Sequence, residues 1–131
     1  MGAVRLLLDT HTLIWAVSGA SYLSAPARDA IDDPGNEVMV SAVSAWEAAT
    51  KHRLGRLESG DLVVSQFSEI VRELRASELA VTVTHGLVAG GFSVDHRDPF
   101  DRMLAAQALL ERAALVTSDQ AFRQFPVEVL W

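Results

Sequence analysis

Short continuous apolar runs take turns with segments of helical period along this chain. Residues 4–8 predict a strand, and His11 to Val17 a short helix. Ser24 is placed to cap a second helix, with Pro26 in its first turn, running to about Ile31. The Pro34-Gly35 turn leads into a strand over Glu37 to Ser41. A helix from about Val43 to Leu54 closes at Gly55, the usual terminal position for glycine. Phe67, Ile70, Val71 and Leu74 predict one helix across 62–76, and the alternation from Leu79 to Val83 predicts a strand. His85 to Phe92 reads as a short helix weakened by Gly86, Gly90 and Gly91. Asp98-Pro99 starts a helix running to about Ala113. A strand at 114–117, a short helix at 119–124 and a terminal strand from Val127 to Trp131 complete the series. The chain shows no repeat, low-complexity tract or linker, and its flexible-looking segments are 18–20, 32–36 and 57–60.

Strands separated by helices, several of them apolar throughout, predict a mainly parallel sheet covered on both faces. In such a sheet the functional crevice lies beyond the carboxyl ends of the strands. The 131 residues make a single domain, 1–131, with a full core. There are no cysteines, which excludes disulfides and thiolate metal sites and suits a reducing compartment. No run approaches the ~18 apolar residues of a membrane span. The N-terminus enters a strand-like run with no signal-peptide pattern, so the expectation is a cytoplasmic protein away from membranes. The net charge of −6 argues against tight binding of long nucleic acid through phosphates alone.

Four acids change the picture. Asp9 ends the run Val4 to Leu8, and Asp119 follows the run Ala114 to Ser118, so both stand at predicted strand tips. Glu47 falls on a helical face with Val43, Trp46, Thr50 and Leu54; Asp101 shares a face with Leu104, Ala105 and Ala108. Each has an ordinary structural explanation. Asp9 and Asp119 can cap helices, Glu47 can pair with Lys51 at i, i+4, and Asp101 suits a helix's first turn. Together, acids at strand ends and on buried faces repel one another unless a cation lies among them. Hard oxygen ligands suit Mg²⁺ or Mn²⁺, which points to metal-assisted chemistry on phosphate. Thr10, Ser44 and Thr117 are candidates to hydrogen-bond the acids, Asp98 to cap or support them, and Arg97 and Arg102 to meet RNA phosphate. His11, His52, His85 and His96 show no ligand spacing, and the three tryptophans are assigned to core or interface.

The segments Leu6 to Trp15, Val40 to Glu47, Lys51 to Leu57, His96 to Ala108 and Leu115 to Phe122 together resemble PIN-domain proteins, specifically VapC-type toxins of prokaryotic toxin–antitoxin pairs. The resemblance spans nearly the whole chain. It implies an α/β/α three-layer sandwich with a parallel sheet of about five strands and a Mg²⁺- or Mn²⁺-dependent endoribonuclease. By position, the family's acidic quartet, catalytic and metal-binding, falls on Asp9, Glu47, Asp101 and Asp119. The implied reaction is hydrolysis of a structured RNA such as tRNA or rRNA by water, leaving 5′-phosphate and 3′-hydroxyl ends. Glu47 and Asp119 are equal candidates for orienting that water. A homodimer and a VapB-like antitoxin are the implied partners. A phosphoaspartyl phosphatase would need a second Asp where His11 stands, and a receiver domain a late lysine, whereas Lys51 is the only one. The remaining alternative is a catalytically silent PIN-like scaffold that binds RNA or protein.

Overall fold

The structure, a computed structural model, describes residues 3–18, 20–57 and 60–131. Five strands, β1 (Arg5–Leu8), β2 (Glu37–Ser41), β3 (Ser77–Leu79), β4 (Ala114–Val116) and β5 (Val129–Leu130), form one sheet in the order β3-β2-β1-β4-β5. Every pairing is parallel. The helices are α1 (Thr10–Ser18), α2 (Ala25–Asp32), α3 (Ala42–Arg53), α4 (Gly60–Ser65), α5 (Phe67–Glu73), α6 (Val83–Gly91) and α7 (Pro99–Leu110).

Strand side chains alternate between two buried layers. Leu6, Leu8, Val38, Val40 and Val116 pack with Leu13 of α1, Ala27 and Ile31 of α2, and Ile70 and Val71 of α5. Leu7, Met39 and Leu115 face the other way, onto Val43 of α3, Leu104, Ala105 and Ala108 of α7, and Phe122 and Phe125. Both faces are dry, which is why the strands read as unbroken apolar runs. The expected three-layer α/β/α sandwich is the observed one.

Local signals placed most boundaries. Ser24 accepts from the Ala27 amide to cap α2, Ser41 accepts from Val43 to cap α3, and Asp98 accepts from Phe100 and Asp101 to cap α7. Gly55, at φ +69°, ends α3 in the left-handed region that glycine enters without a Cβ penalty.

Three expectations are corrected. The single helix over 62–76 is two, α4 and α5, broken at Gln66 (φ −114°, ψ 20°). The break lets Val63 pack on Ile14 and Ala48 while Ile70 and Val71 reach the sheet, directions that one straight helix would not serve. The strand expected over 79–83 is β3, Ser77–Leu79. Its register ends where Leu79 meets Ser41, and from there the chain turns up into α6. Thr82 caps α6 in a reciprocal arrangement with His85, so Val81 and Val83 are exposed instead of sheet-bound. Finally, α7 stops at Leu110, because Arg112 turns left-handed (φ 54°) to start the approach to β4. Of the segments 18–20 and 57–60 singled out in the sequence, residues 19 and 58–59 lie outside the described residues.

Two polar anchors orient α7. Gln107, fully buried, stands with its Oε1 2.5 Å from the Ser41 hydroxyl at the end of β2 and donates to the Ala80 carbonyl beyond β3. Arg102 donates to the carbonyls of Ala89, Gly90, Phe92, Val94 and His96, gathering the whole connection between α6 and α7 around one guanidinium. A planar fork with five donors suits such a ring of carbonyls and an ammonium does not. Replacing Arg102 with Met should therefore lower stability by about 3 kcal/mol, and Arg102→Lys should recover less than half of the loss. Urea unfolding of the two variants beside the parent measures both differences.

Candidate active site

With β1 at the centre, the connection from β1 leads to β2 on one side, while β4 and β5 lie on the other. The strand order reverses between β1 and β4, and a crevice opens at their carboxyl ends. The chain leaves β1 at Asp9 and β4 at Thr117, so the first two elements of the site follow from topology.

Asp9 is 7 % exposed, and both its oxygens are held. Oδ1 accepts from the Thr12 amide at 2.7 Å in the first turn of α1, and Oδ2 accepts from the Thr117 hydroxyl at 2.5 Å. The same hydroxyl oxygen accepts from the Asp119 amide at 3.0 Å. A chain of donors thus runs from the end of β4 to the end of β1. Thr12 adds a parallel tie, donating to the Val116 carbonyl at 2.8 Å.

Glu47, 4 % exposed, is contributed by α3. Its Oε1 accepts from the Thr10 hydroxyl at 2.5 Å, and Oε2 takes the Lys51 ammonium at 2.6 Å. Ser44 stands 3.1 Å from the Thr10 hydroxyl. The inward face of α3 is Val43, Ser44, Glu47 and Ala48. Trp46, which the sequence pattern grouped with Glu47, is 60 % exposed and packs edge-on to Phe100; Leu54 is exposed too.

Asp101 enters from the first turn of α7, its Oδ2 2.7 Å from Nε2 of His96. Burial pushes its pKa up from 3.8 to about 6; the His96 hydrogen bond works the other way, while the Asp98 and Glu47 carboxylates add to the rise. Asp119, more exposed, caps the 3₁₀ turn Gln120–Gln124 through the Ala121 amide. All four acids line one pocket of about 110 Å³, together with Thr10, His11, Lys51 and Asp98. A larger hollow of about 400 Å³, beside Asp32, Asp33 and Arg75, contains none of them.

The four acids therefore meet. Thr10, Ser44 and Thr117 hydrogen-bond to them or to one another, and Asp98 is the cap of α7 that also lines the pocket. Arg102 is a correction: its guanidinium is committed to backbone carbonyls, which removes it as a phosphate ligand. Arg97 is exposed and outside the pocket lining. Two participants escaped the sequence. His96 reaches Asp101 because Asp98 and Pro99 turn the chain between them, and Lys51, read only as a surface partner of Glu47, lines the pocket.

The donor chemistry fits a hard divalent cation, since the quartet is all oxygen and Asp101's raised pKa marks an acid that burial and its carboxylate neighbours disfavour as an anion. No coordination cage stands ready. Among the described residues, no three His, Asp or Glu side chains are grouped closely enough to hold a metal ion. Protein donors hold the carboxylates instead, so loading an ion means redirecting Glu47 from Lys51 and Asp101 from His96.

The model of the PIN domain family matches residues 6–128. Among solved structures, the chain is similar to VapBC2 from Rickettsia felis, crystallised with a DNA fragment from its promoter, at 15% identity and TM-score 0.63, with 96% of each chain covered. It is similar to FitAcB from Neisseria gonorrhoeae at 18% identity and TM-score 0.62, with 95% of each chain covered. A Pyrobaculum aerophilum protein matches at 18% identity and TM-score 0.54, covering 98% of this chain and 86% of its own. No curated protein sequence matches.

The Asp101 pKa has a consequence for stability. A carboxyl with a higher pKa folded than unfolded favours folding when protonated, so its contribution is complete below pH 3.8 and is lost as pH rises to about 6. Asp101→Asn should therefore stabilise the metal-free protein at pH 7.5 by about 1 kcal/mol, after allowance for solvent screening. The gain should shrink to near zero by pH 4. Urea melts of both proteins in chelator, at the two pH values, test the sign.

Proposed function

The chain belongs to the PIN-domain family, and from that membership we propose that it is a divalent-metal-dependent endoribonuclease of VapC type, the toxin of a toxin–antitoxin pair. The observation that carries the reading is the convergence of Asp9, Glu47, Asp101 and Asp119, from four separate elements, on one pocket at the carboxyl ends of β1 and β4. PIN domains are generally nucleases, and the structural neighbours include a VapBC assembly.

Asp9, Glu47, Asp101 and Asp119 would hold Mg²⁺ or Mn²⁺ between them. A bound divalent ion supplies charge neutralisation at the scissile phosphate and acidification of water. The rest falls to the chain's own groups. Thr12 and Thr117 fix the direction of the Asp9 carboxylate, so that it faces the pocket without rotamer freedom. Thr10 does the same for one oxygen of Glu47. His96 draws Asp101 toward its charged form, which is the form a ligand needs. Glu47 comes from the helix after β2 and Asp119 from the turn after β4, on either side of Asp9, and either can orient the attacking water. Attack by water in line with the departing 3′-oxygen leaves 5′-phosphate and 3′-hydroxyl ends on a structured RNA.

The partner reading follows the same line: a VapB-like antitoxin, a homodimer and a cytoplasmic setting. It is supported by the fold shared with VapBC and FitAcB and by the lack of any helix, among the described residues, long and apolar enough to cross a membrane. One observation favours a second reading, a silent PIN-like scaffold: Lys51 already neutralises Glu47, and among the described residues no cage is preformed.

Calorimetric titration with Mn²⁺ separates the two. The wild-type chain should give a saturable binding heat and Asp101→Ala little or none, whereas no heat from either protein would leave the scaffold. On RNA, Asp9→Asn should cut at least about a hundredfold more slowly in Mn²⁺ while its melting curve shows a folded protein. Chelation of the metal should stop the parent, and fragment 5′ ends should ligate directly, without added kinase. Induction of the chain alone should arrest growth, and co-expression of the antitoxin should restore it.

A further inference from the structure

The positive charge of this acidic chain is unevenly placed. Three of its 11 Lys and Arg residues, Lys51, Arg53 and Arg56, fall within six positions at the end of α3, and residues 48–57 contain no acid. The helix dipole alone favours cations in that last turn. It does not account for two further features of this one.

The first is rigidity. The Arg56 amide donates to the Lys51 carbonyl at 2.8 Å and the Gly55 amide to that of His52 at 3.0 Å, the paired bonds of a Schellman ending, with Gly55 supplying the left-handed residue. The chain beyond the helix thus folds back over Lys51. His52 packs on the backbone of Gly60, where an added Cβ would meet its Nδ1 at 2.8 Å, so the turn is pinned to α4 as well. Arg56 is displayed from a fixed backbone.

The second is position and availability. Lys51 lines the same pocket as Asp9, Glu47, Asp101 and Asp119. Arg53 and Arg56, two and five positions further on, are exposed and meet no carboxylate among the described residues. Several other arginines are already engaged, such as Arg5 with Glu37, Arg72 with Glu69, and Arg102 with carbonyls. An acid-lined pocket repels the polyanion it has to cut, so the strand must be drawn in by cations at its mouth.

We propose that Lys51, Arg53 and Arg56 form a phosphate-binding rail that carries an unpaired RNA strand into the acid pocket, Lys51 nearest the cut and Arg53 and Arg56 on the flanking phosphates. The proposal rests on the nuclease reading above and adds the surface by which the substrate is held. RNA is favoured over a protein occupant because Lys51 lines the pocket where the scissile phosphate would lie, and three cations within six positions complement successive phosphates.

The test uses the full chain carrying Asp101→Asn, to block cutting, and a fluorescein-labelled unpaired RNA of mixed sequence, read by anisotropy across a salt series. Adding Arg53→Gln and Arg56→Gln should weaken binding at least about tenfold at low salt. It should also flatten the log–log salt slope by about 1.4, or ~0.7 for each phosphate that is no longer neutralised. Arg53→Lys with Arg56→Lys should bind nearly as the parent does, since a phosphate needs only a point charge. In the cutting-competent chain the Gln pair should raise KM and leave kcat within about twofold. Both arginines are exposed, and a melting curve checks that the variants fold. Unchanged affinity and slope in the Gln pair would overturn the rail, as would loss of antitoxin co-purification with RNA binding intact. If the wild type cuts RNA while the Gln pair binds normally, the rail alone falls. If the wild type neither binds nor cuts RNA in Mn²⁺, the nuclease reading falls with it.

Discussion

The carboxylate of Asp9 governs the site. A charge this deeply buried is tolerated only when both oxygens are hydrogen-bonded, and here the donors come from two different parts of the fold. Thr12 supplies one from the start of α1, and Thr117 supplies the other from the end of β4. Because Thr117 is in turn held by the Asp119 amide, two acids 110 residues apart in sequence are joined through a single hydroxyl. Placing Asp9 therefore also fixes how the ends of β1 and β4 stand to each other.

The other acids meet the same demand with different partners. Lys51 and Thr10 between them satisfy Glu47, and His96 reaches Asp101. These compensations are unequal. Glu47 has a full positive charge beside it, whereas Asp101 has an imidazole and two neighbouring carboxylates. Burial is therefore poorly offset at Asp101, and its pKa is driven up. The metal-free pocket is thus neutralised on one side and protonatable on the other.

Away from the pocket, the same fold uses buried polar groups to hold its second layer. Gln107 ties α7 to the ends of β2 and β3, and touches His85, whose ring reaches Glu111, itself close to Arg5 on β1. With the Arg102 cage, this network sets where α7 lies, and therefore where Asp101 can be. No buried side-chain nitrogen or oxygen among the described residues lacks a partner. Such networks fix one arrangement when every member is satisfied.

Much of this was legible in the chain itself. Apolar runs gave the strands, Ser24, Asp98 and Gly55 gave boundaries, and the acids at run ends marked residues that line one pocket, because these depend on local backbone preferences and on residues a few positions apart. The break at Gln66, the early exit of β3 and the outward turn of Trp46 were not legible. Each depends on which neighbour the fold supplies: Ile14 and Ala48 for Val63, the end of β2 at Ser41 for β3, Phe100 for Trp46. Arg102 and His96 show the same limit. A guanidinium looks alike in sequence whether it faces a phosphate or five carbonyls, and a histidine five residues from an aspartate becomes its partner only when a cap bends the chain between them. Sequence determined which groups can carry charge and where regular structure starts; tertiary packing decided which of those charges meet, since only the folded chain sets the distances over which they act.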